Sequence, residues 1–404
     1  MSTLENPAEV RSFPMPRTCP FAPPEQYARL RAEEPVSRVV LGSGRVAWLL
    51  TRYEDVRKLL LAETVTSDRR HPNFPLFFEL PPEQLAKLRP VLVSLDPPAH
   101  AAQRRLVVPE FTLRRMRALR PRIQEIVDEH VDAILAGDRP ADLVGALAVK
   151  VPALVICELL GVPYADREFF QYSTTAIISR SATPEEAGRA NAELQEYFDK
   201  LVTTKEADPG DDLIGRMIVK NRESDTPQDH EQLVGMARML LVAGHEATSN
   251  MISLGTVALL EHPEQLAALR EDPALAEPAV DELLRYFSIA DQLTSRVLTA
   301  DVEVGGTLLK AGDGVIGVNA AANRDPSAFA CPDELDIHRN ARGHLAFGYG
   351  IHQCVGQNLA RVELEVVYRT LFTRIPGLRL AIPAAELPYK DATVFGLHEL
   401  PVTW

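Results

Sequence analysis

Residues 344–361 read HLAFGYGIHQCVGQNLAR. Cys354 stands in a loop punctuated by Gly348, Gly350 and Gly356, and an amphipathic segment, QNLARVELEVVYRTLFTRI, opens a helix directly after it. Glycines permit positive φ and let backbone come close to a flat ligand. Backbone N–H groups beside a sulfur, together with a helix N-terminus, favour a thiolate. The loop therefore reads as a holder that presents Cys354, as an anionic sulfur, to something outside the backbone. A cysteine ahead of a helix is ordinarily inert. The spacing Phe347-x-x-Gly350-x-x-x-Cys354-x-Gly356 sets this one apart.

The rest of the chain narrows the possibilities. Its 404 residues, 46% hydrophobic and 25% charged, have the balance of a soluble globular protein. The opening MSTLENPAEVRSFPMPRTCPFAPPEQ has no apolar run suited to a signal peptide or membrane anchor, so residues 1–20 read as an extended arm and the protein as cytoplasmic. A net charge of −13 speaks against nucleic acid as a partner. Cys19, Cys157 and Cys331 lie far apart with no CxxC pair, which excludes a zinc ribbon, a thioredoxin-type motif and a disulfide scaffold. Cys157, in VPALVICELLG, reads as a core residue.

Periodicity predicts one mainly α domain over residues 1–404 with small β patches. EQYARLRAEEP predicts a short helix, SRVVLGSGRVAWLLT a hairpin, and helical spacing dominates from about residue 100 to 290. DVEVGGTLLKAGDGVIGV (301–318) predicts a second hairpin, and AELPYKDATVFGLHELPVTW a short strand pair. Thr226, Pro227 and Asp229 predict the start of a helix of roughly 35 residues that crosses the middle of the domain.

The cysteine loop resembles the haem-binding loop of the cytochromes P450. The resemblance implies that Cys354 is the axial iron ligand of haem b, with Phe347 beside the sulfur. It extends to DELLR, whose Glu282 and Arg285 match the family's ExxR, and to Arg339; these three are implied to brace the loop. It further implies that His100 and Arg104, four apart on one helical face, hold haem propionates together with Arg296 and His352. The details AGHEATSN, ANRDP and the loop itself look most like the drug- and macrolide-oxidising members of the soluble bacterial branch.

A fourth match lies on the long helix, in MLLVAGHEATSN (239–250). Ala243 and Gly244 fit the small residues against which haem and dioxygen lie, and Glu246 fits the acid of a proton-delivery route. A buried carboxylate costs several kcal/mol unless paired or hydrated, and Glu246 is read as facing water and the oxygen site. The family places threonine after the acid, whereas Ala247 has no hydroxyl here and Thr248 is rotated by about 100°. A helical bulge that turns Thr248 inward, a relay through water or a substrate hydroxyl, or poor protonation all remain open, with the relay preferred. HExxH zinc chemistry is excluded, because the position of the second histidine is Ser249.

The resemblance implies a monomeric monooxygenase that inserts one atom of O2 into a mid-sized to large apolar substrate. No nicotinamide or flavin fingerprint is present, so electrons are expected from a ferredoxin and its reductase, drawing indirectly on NAD(P)H. Seven arginines between Arg104 and Arg122 suggest the docking face, with Arg105, Arg114, Arg115 and Arg117 as candidates. Phe74, Phe77, Phe78 and Phe395 are candidate substrate contacts. Two other readings stay open: a haem-thiolate enzyme that is peroxide-driven or dehydrating, and a haem-binding protein without catalysis.

Overall fold

The computed structural model describes residues 11–404 except 80, 82, 84, 86–87, 167–168, 171, 174–175, 177–182, 292 and 391–392. The first ten residues of the expected arm lie outside the described residues. The architecture is mainly helical with small sheets, as the periodicity predicts. Contacts divide it into two compact units: residues 1–100, 285–334 and 345–353 form one, and 101–284, 335–344 and 354–404 the other.

The first unit is built on a six-stranded sheet in the order β1-β2-β3-β9-β6-β4. β1 (Arg11–Phe13) comes from the arm and pairs parallel with β2 (Val36–Leu41), which forms the expected hairpin with β3 (Val46–Leu50). The second expected hairpin is only half formed. β7 (Val302–Val304) and β8 (Thr307–Leu309) pair with each other, but β9 (Gly314–Gly317) leaves them. It lies parallel to β3 and antiparallel to β6 (Ser295–Leu298), which in turn pairs with β4 (Val65–Thr66). All four β9 residues are buried, and a strand hidden on both faces needs a neighbour on each side. Leu50, Val56, Leu59 and Val315 form part of the core on this sheet.

The second unit is organised around the central helix, His230–Glu261. It starts later than the sequence suggests: Asp229 is the N-cap, and it forms a reciprocal capping box with Gln232 that satisfies two otherwise orphaned N–H groups. Pro263 stops it, since proline has no N–H to continue the ladder. From Thr248 to Leu259 every residue is buried. The cysteine helix, Gln357–Arg374, crosses here so closely that a Cβ on Gly255 would stand 2.0 Å from Tyr368 Oη, and that hydroxyl donates to the Met251 carbonyl. The expected C-terminal strand pair is reduced to one antiparallel bridge, and the last strand pairs elsewhere. Tyr389 bridges Leu397, while β11 (Pro401–Thr403) lies between β10 (Arg379–Leu380) and β5 (Ala141–Asp142).

Candidate active site

In the second unit, Cys354 lies just before the cysteine helix, whose N-cap is Gly356. Cys354 is exposed as a residue, while protein surrounds its sulfur densely. Burial pushes the thiol up, and the Gly356 and Gln357 N–H groups, with Arg104 and Arg361, oppose that without overcoming it. A cation facing the sulfur would favour the thiolate further. Burial likewise lowers the pKa of Arg104, on the helix Ala99–Val107, and Cys354 partly restores it. Cys157 is a buried core thiol, pushed up to about 12.

The loop's brace is buried, not a surface ion pair. Glu282, fully buried on the helix Ala276–Phe287, accepts from Arg339 Nε at 3.2 Å and from the Asp336 N–H at 3.0 Å. Arg285, also fully buried, donates to the carbonyls of Asn323 and Pro332 at 2.8 Å and of Glu334 at 3.2 Å. Sequence reasoning missed a companion, Asp281. Its carboxylate accepts from Arg361 Nε at 2.7 Å and contacts His344 Nε2 at 3.3 Å, so the two ends of the stretch 344–361 meet on one acid.

In the first unit, three of the four expected cationic groups come together. The rings of His100 and His352 lie 4.2 Å apart, and His352 Nε2 meets Ser67 Oγ at 3.1 Å. Ser67 donates its N–H to Asp96, the nearest acid to Arg296. Burial brings Arg296 down to about 10, with Arg69 lowering it further. Arg69 carries no acidic partner among the described residues, and its sequence context gave no signal of its presence here. Arg69 and Arg296 are both desolvated, and an anion beside them would offset that cost, which fits the carboxylates of a haem. Gly348 and Gly350 have φ of +68° and +70°, and a Cβ on Gly350 would stand 2.4 Å from the Leu60 carbonyl, so this turn demands glycine. Phe347 is half-buried at its start.

In its middle the central helix is exposed or half-exposed at residues 242–244 and 247, while His245 and Glu246 are buried. Ala243 is exposed and Ala247 half-exposed, four apart and so on one face, while Thr248 is buried. The helix is regular through this point, so no bulge turns Thr248 toward the Ala247 face. Gly244 has a packing reason: a Cβ there would stand 3.0 Å from Ile156. Glu246 is not left to water. Lys390 Nζ pairs with its Oε1 at 2.7 Å, a partner 144 residues away that no spacing rule reveals.

Other expectations change. Arg115 is committed to Glu110, a buried acid that also binds Arg216 and Lys220, whereas Arg105, Arg114 and Arg117 are exposed. Arg120 and Arg122 pair with Glu365 and Glu158. Phe74 is a core residue and Phe77 packs on the core with Phe13; Phe78 is exposed.

Cys354 in its glycine loop, the buried Glu282 and Arg285, and the exposed Ala243 on the central helix are the features that the resemblance to a haem-thiolate fold implies. The family model described as Cytochrome P450 matches residues 165–376. Pentalenic acid synthase of Streptomyces avermitilis is 50% identical over 97% of this chain and 97% of its own. The crystal structure of cytochrome P450 MoxA from Nonomuraea recticatena superposes with a TM-score of 0.90 at 52% identity, covering 97% of this chain and 98% of that one. Mycinamicin VIII C21 methyl hydroxylase MycCI of Micromonospora griseorubida, solved bound to mycinamicin VIII, gives 0.91 at 43% identity, covering 98% and 100%. The chain belongs to the cytochrome P450 family, a haem b monooxygenase of its bacterial branch.

Proposed function

We propose that this enzyme hydroxylates or epoxidises a mid-sized to large apolar secondary metabolite, with electrons from a separate ferredoxin. The observation that carries the reading is the open face of the central helix at Ala243 and Ala247, small enough to leave room for a bulky substrate. The relatives named for pentalenic acid and mycinamicin chemistry support the substrate class.

The chemistry the bound haem supplies is activation of dioxygen and insertion of one oxygen atom into a C–H or C=C bond, at a demand of two electrons and two protons. Cys354 would supply the sulfur that holds the haem, with Phe347 and Gly348 shaping its loop and Gly356 opening the helix behind it. His100, Arg296 and His352, with Arg69 in the same unit, would hold the propionates, and Arg104 would supply a further cation. Ala243 and Gly244 permit close approach. Glu246 carries protons, and Ala247 leaves space where a hydroxyl is absent, so a water or substrate hydroxyl relays them. Thr248 is buried on the helix and presents no hydroxyl to that face. Among the described residues no helix is long and apolar enough to cross a membrane.

A carbon-monoxide difference spectrum of the reduced protein tests the ligation; an imidazole-type band overturns it. Ferredoxin- and oxygen-dependent product from a panel of terpenoid and macrolide substrates tests the reaction. One observation, the missing hydroxyl at Ala247, favours a second reading as a peroxide-driven enzyme, which would turn over with peroxide and no ferredoxin.

A further inference from the structure

The ion pair at Glu246 is part of a small closed network. Lys390 Nζ donates to Glu246 Oε1 at 2.7 Å and to Asn250 Oδ1 at 3.1 Å, and Asn250 Nδ2 donates to the same Glu246 oxygen at 3.2 Å. The side chains of Lys390 and Glu246 are 13% and 8% exposed. Both contacts of the carboxylate use Oε1, and no donor among the described residues reaches Oε2.

The lysine arrives on a built hairpin. Lys390 N–H donates to the Gly396 carbonyl at 2.9 Å, His398 N–H to the Pro388 carbonyl at 2.9 Å, and Tyr389 bridges Leu397. The rings of Tyr389 and Phe395 stack at 5.6 Å. Gly396 sits so close to the helix that a Cβ would stand 2.1 Å from Asn250 Oδ1. Backbone contact at Gly396 and charge contact at Lys390 thus seat the hairpin on one turn of the central helix, the turn that carries the acid.

We propose that Lys390 is a positioning residue for oxygen activation. By holding Glu246 through Oε1, it sets the direction of the carboxylate. Oε2 is left as the oxygen that takes up a solvent proton and releases it, the carboxylate being regenerated at each turnover. This rests on the reading of Glu246 as the proton-carrying acid.

The test is a cycle of Lys390→Met, Glu246→Gln and the double variant, with Lys390→Arg as the conservative control, all as haem-loaded protein. Three readouts are taken: product formed per electron pair consumed, the solvent isotope effect on turnover, and the denaturation midpoint. Lys390→Met is expected to lower product per electron pair about tenfold, the scale of a misplaced group, with KM unchanged and the solvent isotope effect altered. Lys390→Arg restores most of the loss, and the double variant is no worse than Glu246→Gln. Denaturation midpoints show a coupling between the two sites, as contacting residues do. If Glu246→Gln impairs coupling but Lys390→Met does not, or if the two losses multiply, the positioning role is overturned while the acid's role stands. If Glu246→Gln itself leaves coupling unchanged, both fall together.

Discussion

Arg361 and His344 reach the same oxygen of Asp281, at 2.7 and 3.3 Å, and so tie the two ends of the cysteine loop to one buried acid. Burial alone would raise the Asp281 pKa, but His344 and Arg361 outweigh it and hold the carboxyl below its ordinary value. A depressed pKa gives stability that is present above the unfolded value and lost as pH falls through the folded one. Asp281→Asn should therefore cost about 3 kcal/mol at neutral pH, as loss of one member of a buried pair does. The difference from wild type should shrink below about pH 4. Urea denaturation across that range checks both, and faster haem loss is expected alongside.

Glu363 behaves in the opposite sense. Its carboxyl is buried on the cysteine helix, both oxygens lack a hydrogen-bond partner among the described residues, and burial pushes its pKa up to about 8. The folded state keeps the proton longer than the unfolded chain, so this group's contribution to stability falls as pH rises from about 4.3 towards that value. Glu363→Gln should remove the slope. Its denaturation midpoint should gain on wild type steadily between about pH 5 and about pH 8.

The proton route is tested at two adjacent positions. Ala247 faces the open side of the central helix and Thr248 is buried. Thr248→Ala is expected to leave product per electron pair within about twofold of wild type, whereas Ala247→Thr changes peroxide release, because only position 247 presents a hydroxyl to the open face. Loss of coupling in Thr248→Ala alone would reverse this assignment.

Among the arginines, Arg105, Arg114 and Arg117 are exposed with no ion pair among the described residues, while Arg115 is held by Glu110. Reversing the three exposed charges should slow ferredoxin-supported turnover about tenfold at low salt, with the deficit closing as salt screens the field. Arg115→Ala should instead weaken the fold, which denaturation will separate from a docking defect.

What could be read from the sequence shares one property: its meaning is local. Cys354 and its glycines, the Glu282 and Arg285 pair one turn apart, the opened helix at Ala243 and the hairpin around Gly44 are all set by spacing along the chain. Their backbone geometry follows from the residues themselves. Tertiary structure decided what depends on partners brought from a distance. The helix start moved from Thr226 to Asp229, because the capping box forms between Asp229 and Gln232. β9 left its sequence neighbours for β3 and β6, because a wholly buried strand needs pairing on both sides. Asp281 gathered His344 and Arg361, and Glu246 met Lys390 across 144 residues. A buried charge must find a counter-charge in space, and periodicity along the chain carries no record of where that partner lies.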